Sequence, residues 1–234
     1  MNANDWWRYR VAVRIAECLP GDARTPHQVI RAKLKKLRRR KIRFVQIGAY
    51  DGRTGDPLYP LIVKGGWEGV LVEPHPDAFA ALQRTHHGRD GLRLENAAIA
   101  DKDGTTELFV SPATGKPDWH RQTYSLRPEQ HAQAARLGET REVYPITVAS
   151  KTLRTLFEQH GVTVLDLFMV DVEGSDGMIV RQLLQTTMRP RMIVYESAFL
   201  LESEQRALLA SLTEADYETI QTSVDTIATR PETD

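Results

Sequence analysis

The stretch "VLDLFMVDVEG", residues 164–174, closes an apolar run with Asp171 and Glu173, two carboxylates two positions apart. If the segment is extended, positions i and i+2 share a face, so both acids would present oxygens to one point. Acids placed in this way have three uses. They take the proton of an attacking hydroxyl, pair with a ligand's ammonium, or join a third acid such as Glu196 around a hard divalent cation such as magnesium. The sequence leaves all three open, including one in which Asp171 meets an ammonium while Glu173 only ties its loop to backbone amides.

A second set of residues speaks to a ligand. "FVQIGAYDGRTGDP", residues 44–57, ends an apolar run at Gly48, where a missing side chain lets a ligand approach the backbone. Asp51 and Asp56 make the following loop acidic, so a pyrophosphate would be repelled there. "GVLVEP" ends in Glu73, 25 residues after Gly48. That interval is near the one between glycine turn and ribose-binding acid in dinucleotide folds, and a carboxylate can accept hydrogen bonds from both ribose hydroxyls. An adenosine ligand with a cationic end meets both conditions. S-adenosylmethionine, with its ammonium and sulfonium, is the adenosine cofactor of that kind.

Elements that could hold these residues alternate regularly from residue 42. "IRFVQIG", "GVLVEP", "LRLENAAIA", "TTELFV", "VLDLFMVDVEG" and "RMIVYES" read as strands, and helical spacing appears in "PDAFAALQRTH", "KTLRTLFEQHG", "GMIVRQLLQ" and "SEQRALLASLTEA". Strands separated by helices predict a mostly parallel α/β sheet covered on both faces. "YETIQTSVDTIATR" leaves no room for a crossover helix, which predicts an antiparallel hairpin at one edge. Such sheets bind ligands at the carboxyl ends of their strands, where Gly48, Asp51, Glu73, Asn96, Asp171 and Glu173 all fall.

Between Asn96 and Asp171 lie 75 positions, more than one crossover requires, so residues 111–145 are expected to form a substrate loop or lid. Trp119, His120, Tyr124 and Ser125 within it suit a sugar or another polar ring. His120 is a further candidate base, because imidazole titrates near neutrality. The other histidines show no metal-ligand spacing.

Composition narrows the class. With 41% hydrophobic and 26% charged residues, the chain can bury an ordinary core, and no apolar run approaches the roughly 18 residues that span a bilayer. The start has no apolar signal core, so a cytoplasmic location is expected. Cys18 is alone, which excludes an internal disulfide and a cysteine metal cluster. Residues 1–41 hold 12 Lys or Arg against three acids, giving +9 there and −9 in residues 42–234, so the zero net charge is segregated. The segment reads as a basic helical extension on a catalytic domain at 42–234. It lacks aromatics interleaved with its basic run, so nucleic acid is not the expected partner; Trp6, Trp7 and Tyr9 fit an anchor or a homodimer contact.

In order, "FVQIGAYDGRTGDP", "GVLVEPHPDAFAAL", "NAAIADKDGTTELFV", "TLRTLF", "LDLFMVDVEGSDGMIVRQL", "IVYES" and "DTIATR" resemble the motifs of FkbM-family methyltransferases over about residues 42–230. The resemblance implies a Rossmann-like class I fold with a seven-stranded, mostly parallel sheet. It also implies S-adenosylmethionine as cofactor and a hydroxyl of a small molecule or glycan as acceptor. Carried over by position, Gly48 and Asp51 fall in the first cofactor motif and Glu73 in the ribose-binding one. Asn96 and Ala97 fall near the adenine, and Asp171, Glu173 and Gly174 form the Asp-x-Glu-Gly element. Tyr195, Glu196 and Ser197 depart from relatives that often carry a histidine shortly after the glutamate. An RNA methyltransferase using the basic arm and a non-catalytic nucleotide-binding module are the alternatives.

Overall fold

A computed structural model describes residues 41–110, 124–127, 143–222 and 224–230. Residues 1–40 and the loop positions Trp119 and His120 lie outside the described residues.

The main sheet begins with β1 (Arg43–Ile47), which pairs in parallel with β2 (Glu68–Val72) on one side and β7 (Leu167–Val170) on the other. Outward from β2 lies β3 (Leu92–Glu95), and outward from β7 lies β8 (Met192–Glu196), both also parallel. Next come β10 (Asp225–Thr229), antiparallel to β8, and β9 (Glu218–Gln221), antiparallel to β10. The seven-stranded order is β3-β2-β1-β7-β8-β10-β9. The expected mostly parallel sheet and its antiparallel edge pair are therefore present.

Alternation explains why both sheet faces are covered. Val45 and Ile47 of β1, Phe168 and Val170 of β7, and Ile193 and Tyr195 of β8 point into one apolar core. There they meet Leu153, Leu156 and Phe157 of α3 (Leu153–His160), Ile179, Val180 and Leu183 of α4 (Asp176–Leu184), and Leu208 and Leu212 of α5 (Glu202–Glu214). The intervening Phe44, Leu167, Met169, Met192 and Val194 face a second core with Ile62 of α1 (Tyr59–Gly65) and Leu82 of α2 (Pro76–Thr85). Helix α3 starts at Thr152, whose side chain caps the Thr155 N–H, and stops at the left-handed Gly161.

Two expectations are corrected. "LRLENAAIA" is not one strand: the chain breaks at Asn96 and Ala97, and the two-residue β4 (Ala98–Ile99) leaves the main sheet. With β5 (Gly104–Val110) and β6 (Tyr144–Lys151) it forms a separate sheet of order β4-β6-β5, so "TTELFV" belongs to this small sheet. Strand β6 partners β5 from Gly104 through Val110, which gives the long insertion a structured exit. "VLDLFMVDVEG" is strand for only four residues, and Asp171 begins a turn.

Candidate active site

At the carboxyl end of β1 the chain must turn beneath a neighbour. Gly48 has φ +81°, and a β-carbon there would lie 1.9 Å from the Asp171 carbonyl oxygen. The position that a β-carbon would take is filled by the chain leaving β7. Glycine is required because two strand exits touch. Gly48 and Ala49 both donate to the Val72 carbonyl, at 2.9 and 3.0 Å, which pins this exit to the end of β2.

One residue past β2, Glu73 is buried at 2% exposure. Its Oε2 accepts from the Tyr50 N–H and its Oε1 from the His75 N–H, each at 2.8 Å. Tyr50 reaches this position at φ +50°, a left-handed conformation uncommon for a side-chain-bearing residue. Burial pushes the Glu73 carboxyl up to about 7, and the two N–H donors only partly oppose it. Each oxygen retains lone-pair capacity, so the group can still accept from hydroxyls. His75 stacks on Tyr124 at 4.4 Å between ring centroids and 13° between planes, and Tyr50 lies 6.4 Å from the same tyrosine ring. An aromatic shelf thus stands beside Glu73.

Asn96 lies at the break after β3 and donates through its amide to the carbonyls of Glu73 (2.7 Å) and Pro74 (3.1 Å). It fixes the Glu73 loop from the neighbouring strand. Ala97, next in the chain, is fully buried. Glu95, the last residue of β3, receives Lys151 Nζ at 2.8 Å, Gln159 at 2.8 Å and His160 Nε2 at 2.8 Å, joining β3 to β6 and α3. Burial raises its carboxyl, but the bonds from Lys151 and His160 outweigh that and hold it below the usual range.

Asp51 is placed differently. Its Oδ1 accepts the N–H groups of Arg53 and Thr54 at 2.9 and 2.7 Å, and its Oδ2 the Thr54 hydroxyl at 2.6 Å. Its carboxylate shapes its own loop.

Beyond β7 the acids converge. Asp171, Glu173 and Glu196 each offer an oxygen, and the three oxygens lie within 4.8 Å of one another. The extended geometry expected for this segment does not produce that convergence. Glu173 sits at φ +54° and Gly174 at φ +111°, so a turn swings the Glu173 carboxylate back towards Asp171 and the end of β8. Glu173 and Glu196 are buried, and Asp171 is the most open of the three.

Sequence reasoning missed Asp176. It opens α4 and is wholly buried, accepting from the Gly174 N–H at 3.1 Å and the Glu196 N–H at 3.2 Å. One carboxyl thereby ties the β7 turn to the end of β8. Burial, and then the charge of Asp171, push it up to about 8. The signal was the further acid in "DVEGSD", masked because an aspartate in a first helical turn is ordinary.

Ser125 and Tyr124, expected to meet an acceptor, are placed by the fold. Ser125 is buried, exchanges backbone hydrogen bonds with Phe109 of β5, and donates its hydroxyl to the Glu173 carbonyl at 2.8 Å. Arg127, two residues on, lies 3.6 Å from Glu204 of α5. Among the described residues, no helix is long and apolar enough to cross a membrane.

The chain is 26% identical over 156 residues to the 2-O-methyltransferase NoeI of Sinorhizobium fredii (strain NBRC 101917 / NGR234), covering 65% of this chain and 61% of that protein. The FkbM methyltransferase of Methylobacillus flagellatus KT superposes with a TM-score of 0.48 at 11% identity, over 80% of this chain and 43% of that one. Fibrillarin of Aeropyrum pernix, solved with S-adenosyl-L-methionine natively bound, gives 0.46 at 12% identity, over 86% and 74%. The methyltransferase FkbM domain matches residues 46–219, from inside β1 to inside β9. This chain therefore belongs to the FkbM methyltransferase family.

Proposed function

We propose that the protein is an O-methyltransferase that moves the methyl group of S-adenosylmethionine to a hydroxyl oxygen of a small molecule or glycan. The observation that carries this reading is the meeting of Asp171, Glu173 and Glu196 oxygens within 4.8 Å, at the same sheet edge as Glu73, with β1 between β7 and the strand that Glu73 follows. The relative described as a 2-O-methyltransferase supports oxygen as the acceptor atom. This chain spans 61% of that relative's length, so the acceptor's identity is not carried over from it.

In this mechanism Glu73 accepts the ribose hydroxyls, and Asn96 and Ala97 border the adenine. Asp171, the most open acid, faces the methionine ammonium. The acceptor oxygen attacks the methyl carbon in line with the departing sulfur. A carbon–oxygen bond forms, the carbon–sulfur bond breaks with its electrons staying on sulfur, and the sulfonium charge is discharged. The hydroxyl proton passes to the Glu173 carboxylate. Much of the acceleration is positional, because sulfonium is already a good leaving group. A base within hydrogen-bond reach supplies the remainder.

The same three oxygens favour a second reading. They are hard, anionic and mutually close, which fits magnesium or calcium better than a soft transition metal. A cation held by Asp171, Glu173 and Glu196 would acidify the acceptor hydroxyl as a Lewis acid.

The test uses methyl-labelled S-adenosylmethionine with a panel of monosaccharides, polyols and an RNA transcript. Transfer to a sugar or polyol hydroxyl is expected. Glu173→Gln should then slow turnover at least about a hundredfold, the scale of a positioned base, with cofactor affinity unchanged. Labelled RNA alone would overturn the acceptor class, and a Glu173→Gln enzyme as fast as wild type would overturn the role of Glu173. Loss of activity in chelator, restored by magnesium, selects the cation reading.

A further inference from the structure

The peptide between Glu173 and Gly174 is gripped at both polar ends. Its carbonyl accepts the Ser125 hydroxyl at 2.8 Å, and its N–H donates to Asp176 Oδ2 at 3.1 Å. The direction of the first bond is set by a third partner. The Arg127 N–H donates to the Ser125 oxygen at 3.0 Å, which leaves the hydroxyl hydrogen for the Glu173 carbonyl.

The grip matters because Glu173 has φ +54°. Residues with a β-carbon keep such a conformation only where their surroundings impose it. Asp176 is a local restraint, three residues along the chain. Ser125 comes from 48 positions upstream, in the insertion between β5 and β6. It is itself immobilised, at 1% exposure, by N–H···O=C bonds in both directions with Phe109, of 2.9 and 3.3 Å.

We infer that Ser125 is a positioning residue for methyl transfer: it holds Glu173 in the left-handed conformation that turns the carboxylate towards Asp171 and Glu196. The insertion therefore acts on the reacting centre directly, through one hydroxyl, and does more than shape an acceptor pocket. This inference rests on the role given to Glu173 under the proposed function.

The experiment is a double-mutant cycle of Ser125→Ala and Glu173→Gln, assayed with the best sugar or polyol acceptor from the panel above. Ser125→Ala should lower kcat about tenfold, the scale of a misplaced group, while leaving the dissociation constant for S-adenosylmethionine unchanged. In the Glu173→Gln background the same substitution should cost less than about twofold, because its effect runs through the side chain already lost. Ser125→Thr, which keeps the hydroxyl, should recover the rate to within about threefold of wild type. Amide exchange at Gly174 should quicken in Ser125→Ala and not in Ser125→Thr, a readout independent of any acceptor.

A Ser125→Ala enzyme at wild-type rate, or a full tenfold loss repeated in the Glu173→Gln background, overturns the inference while leaving Glu173 in its role. Wild-type turnover in Glu173→Gln alone overturns the role of Glu173 first, and the inference with it. If Ser125→Ala does not fold, Ser125→Cys, similar in size and a weaker donor, carries the same comparison.

Discussion

Glu73 should release a proton when S-adenosylmethionine binds. Without ligand its carboxyl is pushed up to about 7, because burial outweighs the two backbone N–H groups that face it. It is then about 0.9 protonated at pH 6, about 0.5 at pH 7 and about 0.1 at pH 8. Ribose hydroxyls donating to the carboxylate stabilise its charged form and draw the pKa down. Binding at pH 6 should therefore expel about half a proton or more, and binding at pH 8 about a tenth or less. Affinity should rise with pH up to about 7 and then level off, because the charged form is the one that binds. Calorimetry at pH 6 in buffers of different ionisation enthalpy measures the proton count as a slope. Staying below pH 7 keeps the ligand's own amino group out of the titration. In Glu73→Gln the slope should vanish and affinity should fall by about 1–3 kcal/mol. A zero slope in the natural protein, or an unchanged slope in Glu73→Gln, would refute the reasoning. The unliganded fold carries the same linkage with a definite sign. Folded Glu73 keeps a proton that the unfolded chain, with its ordinary value of 4.5, has lost. Its contribution to stability is complete below about 4.5 and disappears as pH rises through 7, on the order of 3 kcal/mol.

Gly48→Ala should destabilise the fold by more than about 2 kcal/mol in urea titration, since its β-carbon meets backbone at 1.9 Å and φ is +81°. A loss below about 0.5 kcal/mol would mean that the two strand exits part easily. The Glu95 cluster has the opposite pH sign to Glu73: its carboxyl is held low, so its stabilisation is present above the unfolded value and lost as pH falls through the folded one. Glu95→Gln should accordingly blunt the loss of stability on acidification, read from thermal melts between pH 6 and 3, and a parallel acid profile would disprove it.

The parts of the fold that follow a local rule were legible in the chain. Val45 and Ile47 alternate with Phe44 and Gln46 and divide the sheet's two faces, and the closeness of "YETIQ" to "DTIATR" demanded a hairpin. The parts set at a distance were not. Strand β6 gains its identity from β5, more than thirty residues back, so nothing within "YPITVASK" announced a second sheet. Glu173 is not a glycine, and its left-handed turn comes from Ser125 and Asp176 at its sides. Asp171 and Glu173 were singled out for a shared face on a strand. They meet instead across a turn, and the third acid arrives from β8. That a β-carbon at Gly48 would meet the Asp171 carbonyl is visible only once β7 is placed beside β1.

Residues 124–127 form a short anchored piece. Their hold runs through Phe109, Glu173, His75 and Glu204, four points on the scaffold. For engineering, this piece works as a mounting bracket. An exchange of sequence around the bracket should keep residues 124–127 themselves, because the contacts to all four points start from them. A graft that replaces the bracket as well would alter recognition and chemistry together, and its failure would say nothing about either.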